Sequence, residues 1–359
     1  MRWGALIVVV LALAGTTGRA DPIRIATFHT ELTRDGPGVL LADILDRDAQ
    51  VVAVANVIAH IAPDIVHLAG FDHDLESHAL GAFTKLLAEL GHDYPYAYAP
   101  QPNTGVPSGV DLNGDGYDDG PEDAFGYGRF TGQGGMAVLS KRPLGAARSF
   151  SGFLWADLPD NLAPEAPGGP FPSAEARAVQ RLSSVGHWVV PVDLGGREID
   201  LMVWHGNTPV FDGPEDLNGR RGADEARFWR MFLDGDLPFD PPQRPVVLAG
   251  VSNIDPSDGD GWHDAMQALL DDPRLRDPQP VSAGGTEASN PEHKGNPALD
   301  TADFDDPEPG NLRVDYVLPD AGLTLVDSGV FWPLSADPMA KVVATASRHR
   351  LVWVDVLLP

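Results

Sequence analysis

The sequence predicts a mixed α/β or α+β fold with a layered core. Eight short runs rich in β-branched and aromatic residues recur along the chain, at residues 23–28, 65–68, 136–140, 187–192, 199–204, 246–249, 312–318 and 351–356. Between several of these runs, apolar residues repeat at helical spacing. Strands that alternate with helices are typical of a domain whose sheets and helices pack in layers.

Each helical segment shows its own apolar pattern. Apolar residues at 51, 54, 55, 58 and 61 predict one helix, and those at 80, 83, 86, 87 and 90 predict a second. Two more helices are expected over residues 223–233 and 262–270.

The loops between these elements are long and rich in glycine and proline. The chain has 39 glycines and 33 prolines among its 359 residues, concentrated at 101–135, 155–172, 234–245 and 278–310. Strands resume after each stretch, so these segments are expected to be surface loops and not linkers. We therefore expect residues 21–359 to form a single domain with long loop insertions.

The first twenty residues fit a secretory signal peptide. Arg2 supplies the positive start, residues 7–14 the apolar run, and Gly18-Arg19-Ala20 the small-x-small cleavage pattern. The apolar run is too short to cross a bilayer, and no later segment has eighteen apolar residues in a row. We therefore expect cleavage after residue 20, a periplasmic or secreted protein, and no membrane span.

The chain is strongly acidic and has no cysteine. Its formal net charge is −27, and loss of the two positive charges of Arg2 and Arg19 with the signal makes it −29. Non-specific nucleic-acid binding depends on basic surface, so this charge disfavours a nucleic-acid ligand. The net charge does not exclude a local basic cleft. Without cysteine, disulfides and thiolate metal sites are excluded. A chain of this length can build its core without them.

An acidic loop at residues 111–122 fits the twelve-residue calcium-loop template. Its ligand positions one, three, five, nine and twelve are Asp111, Asn113, Asp115, Asp119 and Glu122, with glycine at the sixth position. The flanking segments are glycine-rich and not helical, so calcium here would order a loop. A solvated acidic turn uses the same residue types. The complete ligand pattern favours calcium, and both interpretations stay open.

A series of strand-end motifs carries the chemistry of this sequence. In chain order they are Arg24-Ile-Ala-Thr-Phe-His29, Pro63-Asp-Ile-Val-His-Leu-Ala-Gly-Phe-Asp72, Gly135-Met-Ala-Val-Leu-Ser140, Trp204-His205, Pro245-Val-Val-Leu-Ala-Gly-Val-Ser-Asn253, Arg313-Val-Asp315-Tyr316 and Ser347-Arg348-His349. Seven motifs in this order resemble the endonuclease/exonuclease/phosphatase family over about residues 22–357. The resemblance implies the DNase-I-like fold, an α+β four-layer α/β/β/α sandwich of two mixed sheets with the active site at the strand ends.

The resemblance also implies roles for individual residues. His205 matches a histidine that acts as acid or phosphate ligand, and Asn253 matches the asparagine of an Asp-x-Asn pair that binds the phosphoryl oxygen. Asp315 matches the late aspartate, and His349 matches the terminal base. The family reaction uses a divalent cation, so the resemblance implies Mg²⁺, Mn²⁺ or Ca²⁺ as cofactor and a small phosphorylated or anionic ligand.

Four further positions depart from the family pattern. His29 stands where asparagine is expected, Gly70 where glutamate is expected, and Val251 where aspartate is expected. Arg348 replaces the aspartate before the terminal histidine. Hard divalent cations require oxygen ligands with negative charge, and these changes remove them. The metal-binding and water-activating half of the pattern is therefore the half that has changed.

Two interpretations of the altered site stay open. In the first, Glu31 and Asp72 replace the missing ligands, because each lies two residues beyond a departed position and falls on the same side of an extended chain. The protein is then a phosphodiester or phosphomonoester hydrolase, and His29 would suit a softer metal. In the second, Arg348 beside His349 binds an anion or phosphate directly, and the protein is a non-catalytic member of the fold. An ion pair between Arg348 and a nearby carboxylate is the structural alternative.

Overall fold

The computed structural model describes residues 21–167 and 169–358. The strands are β1 Ile23–Leu32, β2 Ile65–Phe71, β3 Tyr96–Tyr98, β4 Gly135–Ser140, β5 Arg148–Ser149, β6 Glu165–Ala166, β7 Gly169–Pro170, β8 Gly186–Asp193, β9 Glu198–His205, β10 Val246–Val251, β11 Ala302–Asp303, β12 Asn311–Leu312, β13 Asp315–Pro319, β14 Thr324–Val330 and β15 Val352–Leu357. The helices are α1 Val39–Leu45, α2 Ala49–Ile61, α3 His78–Glu89, α4 Ala174–Val179, α5 Leu217–Asp234, α6 His263–Leu270, α7 Ala283–Glu287 and α8 Pro338–Ala346.

Two mixed sheets face each other across the central core. One has the strand order β14-β15-β1-β2-β4-β3 and the other β13-β10-β9-β8-β5. Strands β1 and β2 run parallel, as do β9 and β10, and their other neighbours are antiparallel. Ile25 and Ile65 from the first sheet join Val190 and Val247 from the second in one buried apolar cluster. Alternate residues of each strand supply this shared face.

Helices cover the outer face of each sheet. On the first sheet, Phe28 packs in one cluster with Val54 of α2 and Phe83 of α3. On the second sheet, Trp204 packs with Phe228 of α5, and α6 contributes to the same cluster. The layers are helix, sheet, sheet and helix, so the predicted four-layer sandwich is confirmed. The core shared by both sheets supports the single-domain assignment, which stays a prediction.

The predicted strand over residues 312–318 is wrong in one detail. Strand β12 ends at Leu312 and β13 begins at Asp315, so two residues interrupt the run. The backbone N–H of Arg313 donates to a carboxylate oxygen of Asp255, and that of Val314 donates to the hydroxyl of Thr301. These side-chain bonds replace ladder bonds, which is why the strand breaks here.

The N-terminal signal assignment lies outside the described residues and stays a prediction. Within residues 21–167 and 169–358, no helix combines the length and the apolar composition that crossing a bilayer requires.

Candidate active site at the strand ends

Four residues from the predicted motifs meet where the two sheets open. His29 of β1 and His349, just before β15, come from the first sheet, whereas His205 ends β9 and Asp315 begins β13 in the second. The ring centroids of His29 and His349 lie 4.3 Å apart, and those of His29 and His205 lie 4.9 Å apart. The three imidazoles form a histidine cluster (His29, His205 and His349) between the sheets.

His349 and Asp315 form a buried dyad. The Nδ1 atom of His349 lies 2.8 Å from Oδ2 of Asp315, and both side chains are buried. The hydroxyl of Thr301 donates to the same carboxylate oxygen over 2.9 Å. A carboxylate that accepts a hydrogen bond from Nδ1 selects the tautomer that carries its proton on this nitrogen. The contact with Asp315 therefore fixes the orientation of the His349 ring.

The other two imidazoles of the cluster are uncharged at neutral pH. Burial, with a smaller effect of the neighbouring His349, holds the pKa of His29 well below its ordinary value. Burial likewise lowers the pKa of His205 to about 3. The ring of His29 stacks on His349 with 26° between their planes and meets the edge of His205. Neutral rings can pack this closely because no like charges repel each other.

A fourth histidine lies behind the cluster. His67 of β2 is fully buried, its Nδ1 lies 2.9 Å from the hydroxyl of Thr27, and burial lowers its pKa to about 3. Within the described residues, Nδ1 of His29 and His205 and Nε2 of His67 have no hydrogen-bond partner. Sequence reasoning missed His67 because it lies in a run that is otherwise core strand. It also missed Thr301, which carries no motif signal in its loop.

Two departures from the family pattern are sterically linked. Gly70 has a φ of +62°, which favours glycine, and a Cβ atom added there would lie 2.7 Å from Cε1 of His29. The imidazole of His29 thus fills the space that a side chain at position 70 would enter. Histidine at position 29 therefore fits with glycine at position 70 and overlaps with any larger residue there.

Arg348 pairs with Glu31. Its Nη2 and Nε atoms lie 2.6 and 2.8 Å from Oε1 of Glu31, and its backbone N–H donates to Oε2 over 2.8 Å. Burial raises the pKa of Glu31, but the hydrogen bonds from Arg348 outweigh it and leave this pKa below its ordinary value. The Arg348 side chain is 59% exposed and lies over the ring of Phe304. The ion-pair alternative from the sequence is therefore what the structure contains.

Asp72 and Asn253 bind neighbouring backbone. The two carboxylate oxygens of Asp72 accept from the N–H groups of Arg34 and Gly134, at 2.9 and 2.7 Å. Burial raises the pKa of Asp72 to about 6. The amide of Asn253 donates to the carbonyl of Gly206, next to His205, over 2.8 Å. Asp72 therefore joins two loops, whereas Asn253 lies at the edge of the cluster.

The acidic loop at 111–122 lies apart from these residues. The carboxylate of Asp111 accepts from the backbone N–H groups of Gly114 and Gly116, and Asn113 and Asp115 each accept from the N–H two residues on. Among residues 21–167 and 169–358, no group of three or more histidine, aspartate or glutamate side chains is arranged to hold a metal ion. The calcium assignment of Asp111, Asn113, Asp115, Asp119 and Glu122 stays a prediction.

A four-layer sandwich with a histidine–aspartate dyad at its strand ends defines the DNase-I-like class of phosphoesterase folds. A model of the Endonuclease/Exonuclease/phosphatase family matches residues 33–349, and the chain belongs to this family. No curated protein sequence matches the chain.

Solved structures of the family share its fold. An endonuclease/exonuclease/phosphatase from Beutenbergia cavernae is 22% identical, with a TM-score of 0.55 over 94% of this chain and 72% of that one. A mannosyl-6-phosphatase from Bacteroides thetaiotaomicron is 12% identical, with a TM-score of 0.50 over 94% of this chain and 100% of that one. The human Nocturnin catalytic domain with bound sulfate anion is 14% identical, with a TM-score of 0.50 over 94% of both chains.

Proposed function

We propose that this chain is an exported, phosphoesterase-like hydrolase of a small phosphodiester or phosphomonoester, with a degenerate metal site. The observation that carries the proposal is the buried dyad of His349 and Asp315, held by Thr301 beside His205. A buried carboxylate that fixes the tautomer of a strand-end histidine is the arrangement that general base catalysis requires. The acidity of the chain favours a small ligand over nucleic acid.

The residues present do not fit the divalent cation that the family implies. Both oxygens of Glu31 accept from Arg348, and both oxygens of Asp72 accept from backbone. The space beside Gly70 is filled by the imidazole of His29. Hard cations need several free oxygen ligands. The oxygens of Glu31 and Asp72 already have partners, and Oδ1 of Asp315 is the one site carboxylate oxygen without a partner within the described residues. Hydrolysis at this site therefore depends on the protein's own side chains.

The remaining residues suffice for slow, base-assisted hydrolysis. Nε2 of His349 takes a proton from water as its oxygen attacks phosphorus, and Asp315 stabilises the imidazolium that forms. The bond from phosphorus to the leaving oxygen breaks, and the imidazolium returns the proton to that oxygen. A neutral His205 donates an N–H to a phosphoryl oxygen. General acid–base catalysis contributes ~10²–10⁴-fold, so the rate should stay well below that of a metal-assisted enzyme.

A second candidate function is non-catalytic binding of an anionic or phosphorylated ligand. The position and exposure of Arg348 favour it. Its Nη1 makes no hydrogen bond within the described part of the chain, and the side chain is 59% exposed. A guanidinium binds phosphate oxygens without any cation.

Turnover assays separate these functions. Residues 21–359 would be assayed on bis-(p-nitrophenyl) phosphate and p-nitrophenyl phosphate with EDTA, and then with Mg²⁺, Ca²⁺, Mn²⁺ and Zn²⁺ in turn. We expect slow turnover that survives EDTA, disappears in His349→Ala and persists in His78→Ala, which changes an exposed histidine. Phosphate binding without turnover supports the second function. Turnover that requires Mg²⁺ contradicts a degenerate metal site.

Export rests on residues 1–20 and has its own test. The full chain would be expressed in a Gram-negative host, and the periplasmic fraction would be sequenced from its N-terminus. A mature protein that begins at Asp21 supports export. Retention in the cytoplasm with Met1 intact contradicts it.

A further inference from the structure

A groove of about 350 Å³ opens beside the histidine cluster, with His205 at one end. Its walls are the 206–208 segment after β9, residues 184–185 just before β8, and the glycine-rich segment that carries Tyr127 and Arg129. This volume lies at the small end of the range for ligand sites. A compact ligand in the groove would reach the histidine cluster.

The groove has no net charge. Asp35 and Arg129 are its charged lining side chains apart from histidine, and they bind each other, with Nη1 of Arg129 2.9 Å from Oδ1 of Asp35. A polynucleotide requires a track of positive charge along its phosphates. This groove offers none, so it suits an uncharged group.

The groove is lined by hydroxyl and amide groups around one aromatic ring. Asn207 and Thr208 contribute an amide oxygen and a hydroxyl, and the Tyr127 side chain is 57% exposed. An aromatic face with hydroxyl and amide groups around it complements a ring that has C–H faces and hydroxyl edges.

Buried charges on α5 hold the walls of this groove in place. The carboxylate of Glu225 is fully buried and accepts from the N–H and hydroxyl of Ser184 and from the N–H of Asn207. One turn earlier, the guanidinium of Arg221 donates to the carbonyls of Leu182 and Phe125. Two groove walls are therefore fixed before any ligand arrives, which lowers the entropic cost of binding.

We propose that the groove binds the hydroxyl-rich, uncharged part of a sugar or polyol phosphate, while its phosphoryl group lies at the histidine cluster. The placement of the phosphoryl group rests on the proposed function, whereas the binding of the polyol in the groove does not. Recognition of the polyol depends on Tyr127, Asn207 and Thr208, which belong to neither the dyad nor the Arg348–Glu31 pair.

Calorimetry with four probes tests the inference. Glucose 6-phosphate, glycerol 3-phosphate, inorganic phosphate and a ten-residue oligothymidylate would each be titrated into residues 21–359 in the presence of EDTA. We expect a sugar or polyol phosphate to bind at least tenfold more tightly than inorganic phosphate. We expect Tyr127→Ala to remove this preference, with no change in the affinity for inorganic phosphate. Tyr117→Ala, which changes another exposed tyrosine that does not line the groove, is the matched control.

Each outcome decides between groove binding and its alternatives. Equal affinities for inorganic phosphate and both organic phosphates overturn the inference, even where turnover upholds the proposed function. Equal losses in Tyr127→Ala and Tyr117→Ala also overturn it. Tighter binding of the oligothymidylate replaces it with a nucleic-acid ligand. Sugar-phosphate binding without any turnover keeps the inference and rejects hydrolysis.

Discussion

Arg348 binds both carboxylate oxygens of Glu31. Its Nη2 lies 2.6 Å from Oε1, and its backbone N–H donates to Oε2 over 2.8 Å. Arg348 departs from the family pattern because it replaces an aspartate with a positive charge. Glu31 supplies the opposite charge and lies two residues after His29, which is another departure. The pair therefore balances itself, and it leaves one face of the guanidinium open to solvent.

Arg348→Ala should weaken phosphate binding without unfolding the protein. The pair is largely exposed on the arginine side, so its loss should lower the free energy of unfolding by less than about 1 kcal/mol. The affinity for inorganic phosphate should fall about tenfold or more, since one charge-assisted contact is lost. Calorimetry and urea denaturation measure the two effects. Arg47→Ala, which breaks the exposed pair with Glu89, is the control. Unchanged phosphate affinity in Arg348→Ala would exclude Arg348 as the ligand.

Gly70→Glu should destabilise the protein, and His29→Asn should partly rescue it. The new side chain must adopt a positive φ and overlap the imidazole of His29, at a combined cost of about 3 kcal/mol. The smaller asparagine at 29 should recover at least about 1 kcal/mol, which is a coupling energy between neighbouring sites. A thermodynamic double-mutant cycle measures this coupling.

Gly91→Glu is the control for that cycle, because it measures the cost of backbone strain without steric overlap. Gly91 also has a positive φ, +89°, but a Cβ atom there meets nothing within 4 Å. Its substitution should cost only about 1 kcal/mol. Equal losses in Gly91→Glu and Gly70→Glu, or additive effects of the two substitutions at 29 and 70, would refute steric linkage.

Asp300→Asn should stabilise the protein more at pH 8 than at pH 5. Burial, then the charges of Asp255 and Asp258, raise the pKa of Asp300 to about 8, against a smaller opposing effect of Arg313. An unfolded aspartate titrates near pH ~4. Between these values the folded state keeps a proton that the unfolded state has lost, so the free energy of unfolding falls as pH rises.

The gain from Asp300→Asn at pH 8 should be on the order of a few kcal/mol. Urea denaturation at several pH values between 5 and 8 measures it. Asp264→Asn, at an exposed position, is the control and should show no such slope. A gain from Asp300→Asn that is the same at both pH values would mean that Asp300 is not protonated in the folded state.

Calcium binding by the 111–122 loop remains open to a direct titration. The alternating acidic ligands and the bend at Gly116 predict a heat of Ca²⁺ binding that Asp111→Ala abolishes. Asp74→Ala, an acidic change outside the loop, should leave the heat unchanged. Equal heats in wild type and Asp111→Ala would remove the calcium assignment of the loop.

Sequence reasoning predicted the fold well because its signals are local. The central strands β1, β2, β9 and β10 are buried along most of their length, so apolar β-branched residues dominate them. Strand β14 was missed because it is a sheet edge with many exposed residues and carries Asp327, Ser328 and Gly329, which favour strands weakly.

The site was harder to predict because its contacts join distant segments. Motif order placed His205, Asp315 and His349, but it could not show that Glu31 reaches Arg348, 317 residues away. Period-two alternation predicted Glu31 and Asp72 as replacement metal ligands, which stays a prediction. In the structure Glu31 pairs with Arg348, and both oxygens of Asp72 accept from backbone. A bulge in the β1–β2 pairing between His29 and Leu32 disturbs the simple alternation there.

The charge of the chain sets how a ligand approaches this site. The Arg348–Glu31 pair is balanced in charge, but it lies on a protein of net charge −27. An anionic ligand is repelled by this net charge once it comes within a Debye length of the surface, about 8 Å at physiological ionic strength. Added salt should therefore speed association, at least until it competes for Arg348. This is the opposite of the salt dependence of proteins that draw anions through a basic surface.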